Sequence, residues 1–427
     1  MSPLKQALKR ALKDIISQSE FGRAYRRLRI TQQLQVCQIV SEEQAALSIG
    51  ELLEKYMLGA VLQINSIHGL KEVLLSDGDT RKLYELLRGG PSQNQDLGEV
   101  LQAVSLERFF AELEKYTQAD PSSQSRHRIY IIFDDTLLDK KGRKMAHIHR
   151  LFDHCKGCYV LGFHGLVMYV VIGPDAKEEF VLDHDVPLYP EHRPKGYRNP
   201  NDRYGLAAGF LEFLAQQAAK RQVSFQEVIV LFDRWYFGRR MTQACQALEL
   251  SYVTQSKSPF VYDVHGQRFT ASELIEWVLQ HGKLQEHHIG RSCYRYYTVL
   301  AQSPTFGKVR LVVWYRQDSK AKTERRKCKV LVCNNVTCKF TAIKIIRAHR
   351  VRWRVEVMFR TAKQLCRLGE FHQTDEVAIC NSLSVAYLTF KIFAWAWRTY
   401  GRRRGFQTIG QMANHLKYSL LAVVLTL

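Results

Sequence analysis

From about residue 128, short runs rich in β-branched and aromatic residues alternate with longer segments whose apolar residues have helical spacing. The strand-like runs span residues 128–133, 159–161, 166–172, 179–182 and 228–232, and the helical segments span residues 204–220 and 236–248. Strands that alternate with helices pack as a sheet covered by those helices. The pattern therefore predicts an α/β fold for the middle of the chain.

The flanking parts of the chain have a different pattern. Residues 1–120 favour helices, with apolar residues at helical spacing in 4–16, 45–62 and 100–113 and polar breaks at 76–78 and 89–95. From residue 252 to 335 strand-like runs dominate, around one helix near 272–279. Residues 342–368 then predict one long helix, and more helix follows through residue 399.

The charge of the chain points to a polyanionic partner. The sequence has 62 Lys and Arg against 41 Asp and Glu, a formal net charge of +21. A folded protein with this excess attracts nucleic acid first, and an anionic membrane surface is the alternative. The basic residues run through the whole chain and form no single amphipathic anchor, which favours nucleic acid. The basic stretch between Arg23 and Arg29 is either a DNA contact or a solvated helix face.

The cysteines and the apolar segments indicate a cytoplasmic protein. Ten cysteines are scattered along 427 residues, unlike the dense framework of a small secreted domain. Residues 1–17 lack the continuous apolar core of a signal peptide. Residues 384–397 and 419–427 are apolar but too short to span a bilayer.

Three acidic residues have a context that suits metal chemistry. Asp134 is predicted to close one strand, Asp233 is predicted to close another, and Glu356 lies on the late helix. A carboxylate at a strand end lies at the rim of the sheet, where ligands bind in open α/β folds. Carboxylate oxygens hold hard cations, and a pair of cations supports phosphoryl transfer. An Asp after a strand is also a common turn or helix-capping residue, so each acid taken alone is weak evidence.

The late helix resembles the signature of bacterial insertion-sequence transposases with a DDE catalytic core, Tyr-x2-Arg-x3-Glu-x6-Lys. Arg352, Glu356 and Lys363 stand at the matching positions, and His349 replaces the Tyr. The run Asp134-Asp-Thr is similar to the first acidic motif of that family. The run Asp233-Arg-Trp-Tyr, followed by Gln-Ser-Lys257, is similar to the second. The resemblance covers roughly residues 129–386.

This resemblance implies an RNase H-like catalytic core with an inserted β-rich domain, between helical N-terminal and C-terminal regions. It implies DNA transposition, in which Asp134, Asp233 and Glu356 bind two Mg²⁺ ions and Mn²⁺ substitutes for them. Water attacks one strand at the transposon end, and the freed 3′-hydroxyl attacks across the duplex or in target DNA. We predict a helical DNA-binding region, a first core segment, an inserted domain, a catalytic helix and a helical C-terminal region, spanning residues 1–120, 128–251, 252–340, 341–372 and 373–427.

Helical geometry agrees with the roles that the signature implies. Arg352 and Glu356 are four residues apart and share a helix face, and Lys363 follows two turns later on much the same side. Arg352 and Lys363 are therefore predicted phosphate donors on either side of a metal ligand. Residues that follow each other in a strand face opposite sides, so only one of Asp134 and Asp135 faces the metals, and we predict Asp134.

Four further residues are predicted DNA contacts. His349 can donate to a phosphate, and Lys257 matches a Lys of the family's second motif. Trp235 and Trp314 are candidates for stacking a displaced base, with Trp314 preferred because it lies in the predicted insertion. Core packing is the alternative for both tryptophans, and solvation is the alternative for Lys257.

The predicted partner is double-stranded DNA, as transposon ends and as target, with a homodimer on DNA and no membrane. The expected location is the bacterial cytoplasm, in association with the nucleoid. Two other functions remain open. One is a DNA-binding protein derived from a transposase that no longer cuts, and the other is a different RNase H-like nuclease, such as a resolvase. The presence of all three acids favours an active transposase.

Overall fold

The computed structural model of the chain describes residues 18–39, 43–62, 64, 67, 70–71, 75–90, 96–118, 128–142, 144–173, 176–187, 202–317, 328–337 and 340–426. The helix predicted over residues 4–16 lies outside this part of the chain. The interval between the predicted regions 1–120 and 128–251 also lies outside it.

The described part of residues 18–118 is helical, as the apolar spacing predicts. The helices are α1 (Glu20–Arg27), α2 (Ile30–Val36), α3 (Glu43–Val61), α4 (Asp77–Leu87) and α5 (Leu97–Gln118). The polar break at 76–78 is the start of α4. There the Ser76 hydroxyl accepts from the Asp79 amide at 3.0 Å, and the Asp79 carboxylate accepts from the Ser76 amide at 3.1 Å. This capping box satisfies amides at the helix start that have no partner within the helix.

The middle of the chain builds one mixed sheet. Its strands are β1 (Ile129–Asp139), β2 (His149–Asp153), β3 (Cys158–Ile172), β4 (Glu178–Asp185), β5 (Ile229–Phe232), β6 (Ser251–Gln255), β7 (Val261–Val264), β8 (Gln267–Thr270), β9 (Gln285–Ile289), β10 (Ser292–Ser303), β11 (Gly307–Arg316) and β12 (Lys329–Cys333). The main path runs β2-β3-β1-β5-β6-β12-β11-β10-β7-β8, with β4 paired to β3 and β9 to β10. Parallel pairs join β1, β5 and β6 at its centre. The predicted α/β class is therefore confirmed.

The two strands predicted at 159–161 and 166–172 are one strand, β3. Gly162 and Gly165 suggest a break in the sequence, but β3 continues through both and pairs with β1 from Gly162 to Ile172. A Cβ atom at Gly162 would lie 2.4 Å from the Leu138 carbonyl oxygen of β1. Gly162 therefore marks a close approach between two backbones.

The strand-rich stretch between residues 252 and 340 extends the same sheet. Strand β12 lies antiparallel to β6, with Val332 opposite Thr254, and β11, β10 and β7 continue outward from it. The predicted helix near 272–279 is α8 (Ala271–His281). The strands of this stretch thus bring the start of β12 to the edge of the sheet where β5 and β6 end.

Helices cover both faces of the sheet. Between the strands lie α6 (Arg203–Lys220) and α7 (Arg239–Ala247), and after them come α9 (Ala342–Arg352), α10 (Arg354–Leu365), α11 (Glu376–Ala396) and α12 (Ile409–Thr426). Alternate residues of β1 enter two separate cores. Tyr130 and Ile132 pack with α9, α10 and α11, whereas Ile131 and Phe133 pack with α6 and α7.

Helix α11 is the centre of the first core, and a π-helical turn, Trp397–Gly401, follows it. The segment Glu376–Arg404 is long and apolar enough to cross a membrane, but 89% of its most apolar window is buried inside the protein. Such burial is typical of a central core helix.

The N-terminal helices pack on the same helix, α11. Asn381, fully buried, accepts from the Leu97 amide at 2.7 Å and donates to the Leu87 carbonyl at 3.1 Å.

A buried histidine makes the contact between β4 and α11 sensitive to acid. The His184 Nε2 atom lies 2.8 Å from the Ser384 hydroxyl, and burial lowers the pKa of His184 to about 4. An unfolded chain binds this proton near pH 6.5, so the stabilising contribution is complete above that pH and is lost as the pH falls toward 4.

We therefore expect the urea midpoint of the wild type to fall between pH 6.5 and pH 4.5 by more than that of His184→Gln. The measurement is urea unfolding of both proteins at several pH values. Other buried acids titrate alike in both proteins. The difference between the two proteins in the pH dependence of the urea midpoint therefore reports His184. Equal pH dependence in the two proteins would contradict this assignment.

Candidate active site

Asp134 and Asp233 lie side by side where the parallel pairing of β1 and β5 ends. Phe133 is the partner of Phe232, and the next residue in each strand is an aspartate. Asp233 follows the last residue of β5, as predicted. The prediction that Asp134 closes its strand is wrong, because β3 keeps pairing with β1 for five residues beyond Asp134. At Asp134, β1 is still paired with β3 on one side, but its pairing with β5 on the other side has ended.

Arg352 joins Asp134 to Glu356. Its guanidinium donates from Nη1 to Asp134 Oδ2 at 3.2 Å and from Nη2 to Glu356 Oε1 at 2.9 Å. The Arg352 side chain is 12% exposed and that of Asp134 17%, so this contact is shielded from water. An arginine between two carboxylates offsets their mutual repulsion. The sequence brings Arg352 and Glu356 together at four-residue spacing, and the fold adds Asp134.

The predicted single helix over 342–368 is two helices that meet at Trp353. Helix α9 ends at Arg352 and α10 begins at Arg354, while the backbone of Trp353 keeps near-helical angles. Arg352 and Glu356 consequently lie on different helices, yet their side chains still meet. The Trp353 side chain is 53% exposed at this junction. Val355, Met358 and Phe359 of α10 are buried and hold the helix against the sheet.

Burial dominates the electrostatics of Asp134. Desolvation raises the pKa of Asp134 to about 8, Arg352 opposes the shift, and the neighbouring Asp135 and Asp233 add to it. Loss of water disfavours the ionised carboxylate, and nearby negative charge acts in the same direction. A group with this combination of burial and charged neighbours is a candidate for function.

The carboxylates supply the kind of ligand that a hard cation prefers. Oxygen ligands from Asp and Glu suit Mg²⁺, and a cation would compensate the cost of ionising Asp134 in its buried position. Among the described residues, no group of three His, Cys, Asp or Glu side chains is close enough to hold one ion. Arg352 lies between Asp134 and Glu356 in this conformation. The oxygen donors of the three acids suit a divalent metal in chemical type, and Arg352 occupies a carboxylate oxygen of Asp134 and one of Glu356 in this conformation.

Asp135 belongs to a different network on the opposite side of β1. Its Oδ2 lies 2.6 Å from His164 Nδ1, and its Oδ1 accepts from the Tyr236 hydroxyl at 2.7 Å and from Arg203 at 3.4 Å. Burial raises the pKa of Asp135, but His164, Arg203 and Tyr236 outweigh it, so the pKa falls below its usual value. The structure thus brings Asp134, rather than Asp135, to Arg352 and Glu356.

Lys363 anchors α10 to β1. Its ammonium donates to the Leu137 carbonyl at 2.8 Å, and burial lowers its pKa. The predicted role as a phosphate donor was based on helical spacing. In this structure the Lys363 ammonium is instead bound to the backbone of the strand that carries Asp134.

Two lysines lie near the acids at the same edge of the sheet. Burial and Arg203 lower the pKa of Lys257, while Asp233 raises it. Lys329 lies at the start of β12, where partial burial and Arg352 lower its pKa, while Asp233 and Glu356 raise it. The Ser256 amide donates to the Val330 carbonyl at 2.8 Å, which holds the end of β6 beside the start of β12. Sequence reasoning missed Lys329 because a lysine that opens a strand looks like a solvated residue.

The two predicted stacking tryptophans differ in exposure. Trp314, the preferred candidate, is 8% exposed and packs against Tyr294 at 5.5 Å and His349 at 5.7 Å between ring centroids. Trp235 is 51% exposed, with the Arg234 guanidinium 5.4 Å from its ring. Neighbouring strands and α9 cover the Trp314 ring, which agrees with the core-packing alternative, and base stacking by either tryptophan stays a prediction.

His349 is held as a neutral imidazole. Burial, with the nearby Arg352 and Lys329, lowers the pKa of His349 to about 3. At neutral pH it therefore carries no charge, and a contact with phosphate would depend on its N–H group alone. The rings of His349 and Trp314 meet at an angle of 67°, so the imidazole makes an aromatic contact at this position.

Comparison with known proteins finds one family match. No curated protein matches the sequence. The model of the transposase DDE domain matches residues 194–381, somewhat less than half of the chain. This stretch contains Asp233, Arg352 and Glu356, and Asp134 precedes it. Together with the mixed α/β sheet and the meeting of Asp134, Arg352 and Glu356, the match supports a DDE transposase.

Proposed function

We propose that this protein binds transposon-end DNA and catalyses metal-dependent strand cleavage and strand transfer. The observation that carries the proposal is the Arg352 guanidinium that joins Asp134 to Glu356 beside Asp233. Two of these acids come from adjacent strands and one from a helix more than 200 residues away from Asp134. A net charge of +21 supports a polyanionic substrate.

In the proposed active complex, Asp134, Asp233 and Glu356 hold two Mg²⁺ ions, and Mn²⁺ substitutes for them. Bound there, the ions would supply Lewis acidity for the attacking and leaving oxygens of the phosphodiester. Arg352 releases one of its two carboxylate partners and binds the scissile phosphate instead. Its planar guanidinium can bind a phosphate with two hydrogen bonds. Lys363 keeps α10, and with it Glu356, at a constant distance from β1.

The two lysines at the sheet edge complete the proposed phosphate contacts. Lys257 follows the end of β6, and Lys329 opens β12, the next strand beyond β6. Both have a lowered pKa, a sign of partial desolvation. Trp235 offers an exposed indole beside Asp233 for stacking on a displaced base. Two copies of the chain on DNA would bring two transposon ends together. The bacterial nucleoid is the expected place of action.

A first experiment measures cleavage of the element's own end DNA, taken from the sequence that flanks the reading frame. We expect cleavage with Mg²⁺ and none with EDTA. If the protein binds this DNA but never cuts it with Mg²⁺ or Mn²⁺, the non-cutting DNA-binding function takes its place. Cleavage that continues without any divalent metal would contradict the proposed role of the carboxylates.

The metal site has a readout that does not need activity. We expect Mg²⁺ to raise the melting temperature of the wild type and to lose this effect in Asp134→Asn, because ligand binding stabilises only the protein that binds it. Asp183→Asn is a matched control. Asp183 is also a buried acid, with its pKa raised to about 7 by burial, but it lies on β4 and accepts from Gln102. A shift that persists in Asp134→Asn and disappears in the control would place the metal elsewhere.

A further inference from the structure

A basic cavity of about 310 Å³ lies apart from the three catalytic candidates. Residues from four segments that are distant in the sequence line it. These are the turn between α1 and α2, helix α5, the start of β4 and the end of α11 with its π-helical turn. Its cationic side chains are Arg27, Arg29, Arg108, Lys177, Lys391 and Arg398. The first two belong to the basic stretch that the sequence left unassigned.

Most of the negative charge in this cavity is already neutralised. Arg108 donates from Nε to both carboxylate oxygens of Glu178, at 2.8 and 2.9 Å, and Arg398 donates to the same carboxylate. Glu179 accepts from Arg354 Nε at 2.8 Å. Glu107 is the third acid of the lining. The remaining cations, among them the exposed Arg27, Arg29 and Lys177, leave the cavity with an excess of positive charge.

A buried lysine lies in the wall of this cavity. Lys391 is 4% exposed, its ammonium lies 3.0 Å from the Ser105 hydroxyl, and it is 4.0 Å from the centre of the Phe180 ring. Burial lowers the pKa of Lys391 to about 7. Nearby Glu178 opposes this shift only in part. A buried ammonium is costly, and an anionic ligand would offset that cost.

The basic surface continues beyond the mouth of the cavity. Arg402 donates to the Ala176 carbonyl at 2.9 Å, next to Lys177, and Arg403 follows it as an exposed residue. The Arg23 guanidinium, from the N-terminal basic run, lies 5.5 Å from the centre of the Tyr400 ring. The N-terminal and C-terminal basic runs thus meet on one surface. A surface longer than one phosphate fits a polymer of phosphates better than a single free anion.

We propose that this cavity binds a phosphate of the DNA backbone and anchors the duplex away from the site of cleavage. This inference rests on the proposed function, since it takes the same DNA as its ligand. The cavity and the active site share a structural element, because Glu179 in the cavity wall pairs with Arg354, two residues before Glu356 on α10. Contacts to phosphate position a protein on DNA without reading its sequence.

The test measures DNA binding over a range of salt concentrations, which does not require cutting. The variant is Arg27→Gln combined with Lys177→Gln. The matched control is Lys283→Gln combined with Lys308→Gln, two exposed lysines in the β9–β11 part of the sheet. Two lost phosphate contacts should lower the slope of log K against log salt by about two and weaken binding about tenfold at low salt, whereas the control should retain both.

Lys391→Met provides a second variant. It removes a buried charge, while the Ser105 hydroxyl keeps its bond to the Val181 carbonyl at 2.9 Å. We expect its melting temperature to stay or rise and its DNA affinity to fall several-fold. If Lys391 had only a structural role, its replacement would not lower DNA affinity while the melting temperature stays or rises.

The outcomes distinguish the cavity from the proposed function. If the wild type fails to bind DNA, the proposed function fails. If the wild type binds and the cavity variant has an unchanged salt slope, only the cavity proposal fails. An equal loss in the cavity variant and the control would mean that binding follows net charge alone, which also overturns the proposal. If millimolar inorganic phosphate competes with DNA for the wild type, but the cavity variant still binds DNA normally, the cavity is a site for a free anion instead.

Discussion

Glu356→Gln and Asp233→Asn are each expected to reduce DNA cleavage by about 10³-fold or more, because residues that act as one unit cannot substitute for each other. Each change removes a charged oxygen ligand and keeps the size of the side chain. DNA binding should stay within about threefold of the wild type or become tighter, since a negative charge near the phosphates is lost. Cleavage and binding are measured on the same end DNA with Mg²⁺.

Glu212→Gln is the matched control for these variants. Glu212 is an exposed carboxylate on α6, so its loss changes the net charge equally and should leave cleavage unchanged. A Glu356→Gln protein that still cuts at more than a tenth of the wild-type rate would exclude Glu356 from catalysis. A variant that loses binding together with cleavage would show that the acid supports the fold of the DNA site instead.

The strands of the core could be predicted because their pattern is local. The run before Asp233 is continuous, β-branched and apolar, and the observed strand Ile229–Phe232 is within one residue of the prediction. Residues 342–352 form a helix that begins after Thr341, whose hydroxyl accepts from the Lys344 amide at 3.4 Å. These features depend on neighbours within a few residues, and those neighbours are visible in the sequence.

The break at Trp353 and the continuity of β3 were not predictable in the same way. Trp353 keeps near-helical backbone angles and has no proline or glycine beside it, so no local signal marks the end of α9. In β3 the glycine signal is present but has another cause, since Gly162 permits the close approach of the Leu138 carbonyl. A tertiary contact explains the continuity of β3, and the break at Trp353 has no local signal.

The candidate site was predicted as three separate acids, and the fold supplies the connections between them. The bond from Arg352 to Asp134 spans 218 residues of sequence. Lys329 reaches the same edge only because β12 runs antiparallel to β6. Helical spacing correctly paired Arg352 with Glu356 but could not show that Lys363 would bind the Leu137 carbonyl.

Arg354→Ala is expected to lower the free energy of unfolding by about 3–5 kcal/mol, the usual effect of removing one partner of a buried ion pair. The Glu179 side chain is 3% exposed, and Arg354 pairs with both of its oxygens through Nε and Nη2. Without the guanidinium, the Glu179 carboxylate would remain buried beside the Tyr169 ring without a counter-charge. Urea unfolding of wild type and variant measures the effect.

Two further variants separate the ion pair from a general loss of charge on α10. Arg360→Ala removes an exposed arginine of the same helix and should change stability by less than about 0.5 kcal/mol. The double variant Arg354→Met with Glu179→Leu removes both charges and should recover most of the lost stability. If it stays as unstable as Arg354→Ala, the uncompensated charge of Glu179 is not the cause of the lost stability. In either case Glu356, two residues along the helix, loses its fixed position, so cleavage by Arg354→Ala should fall even at temperatures where the variant is folded.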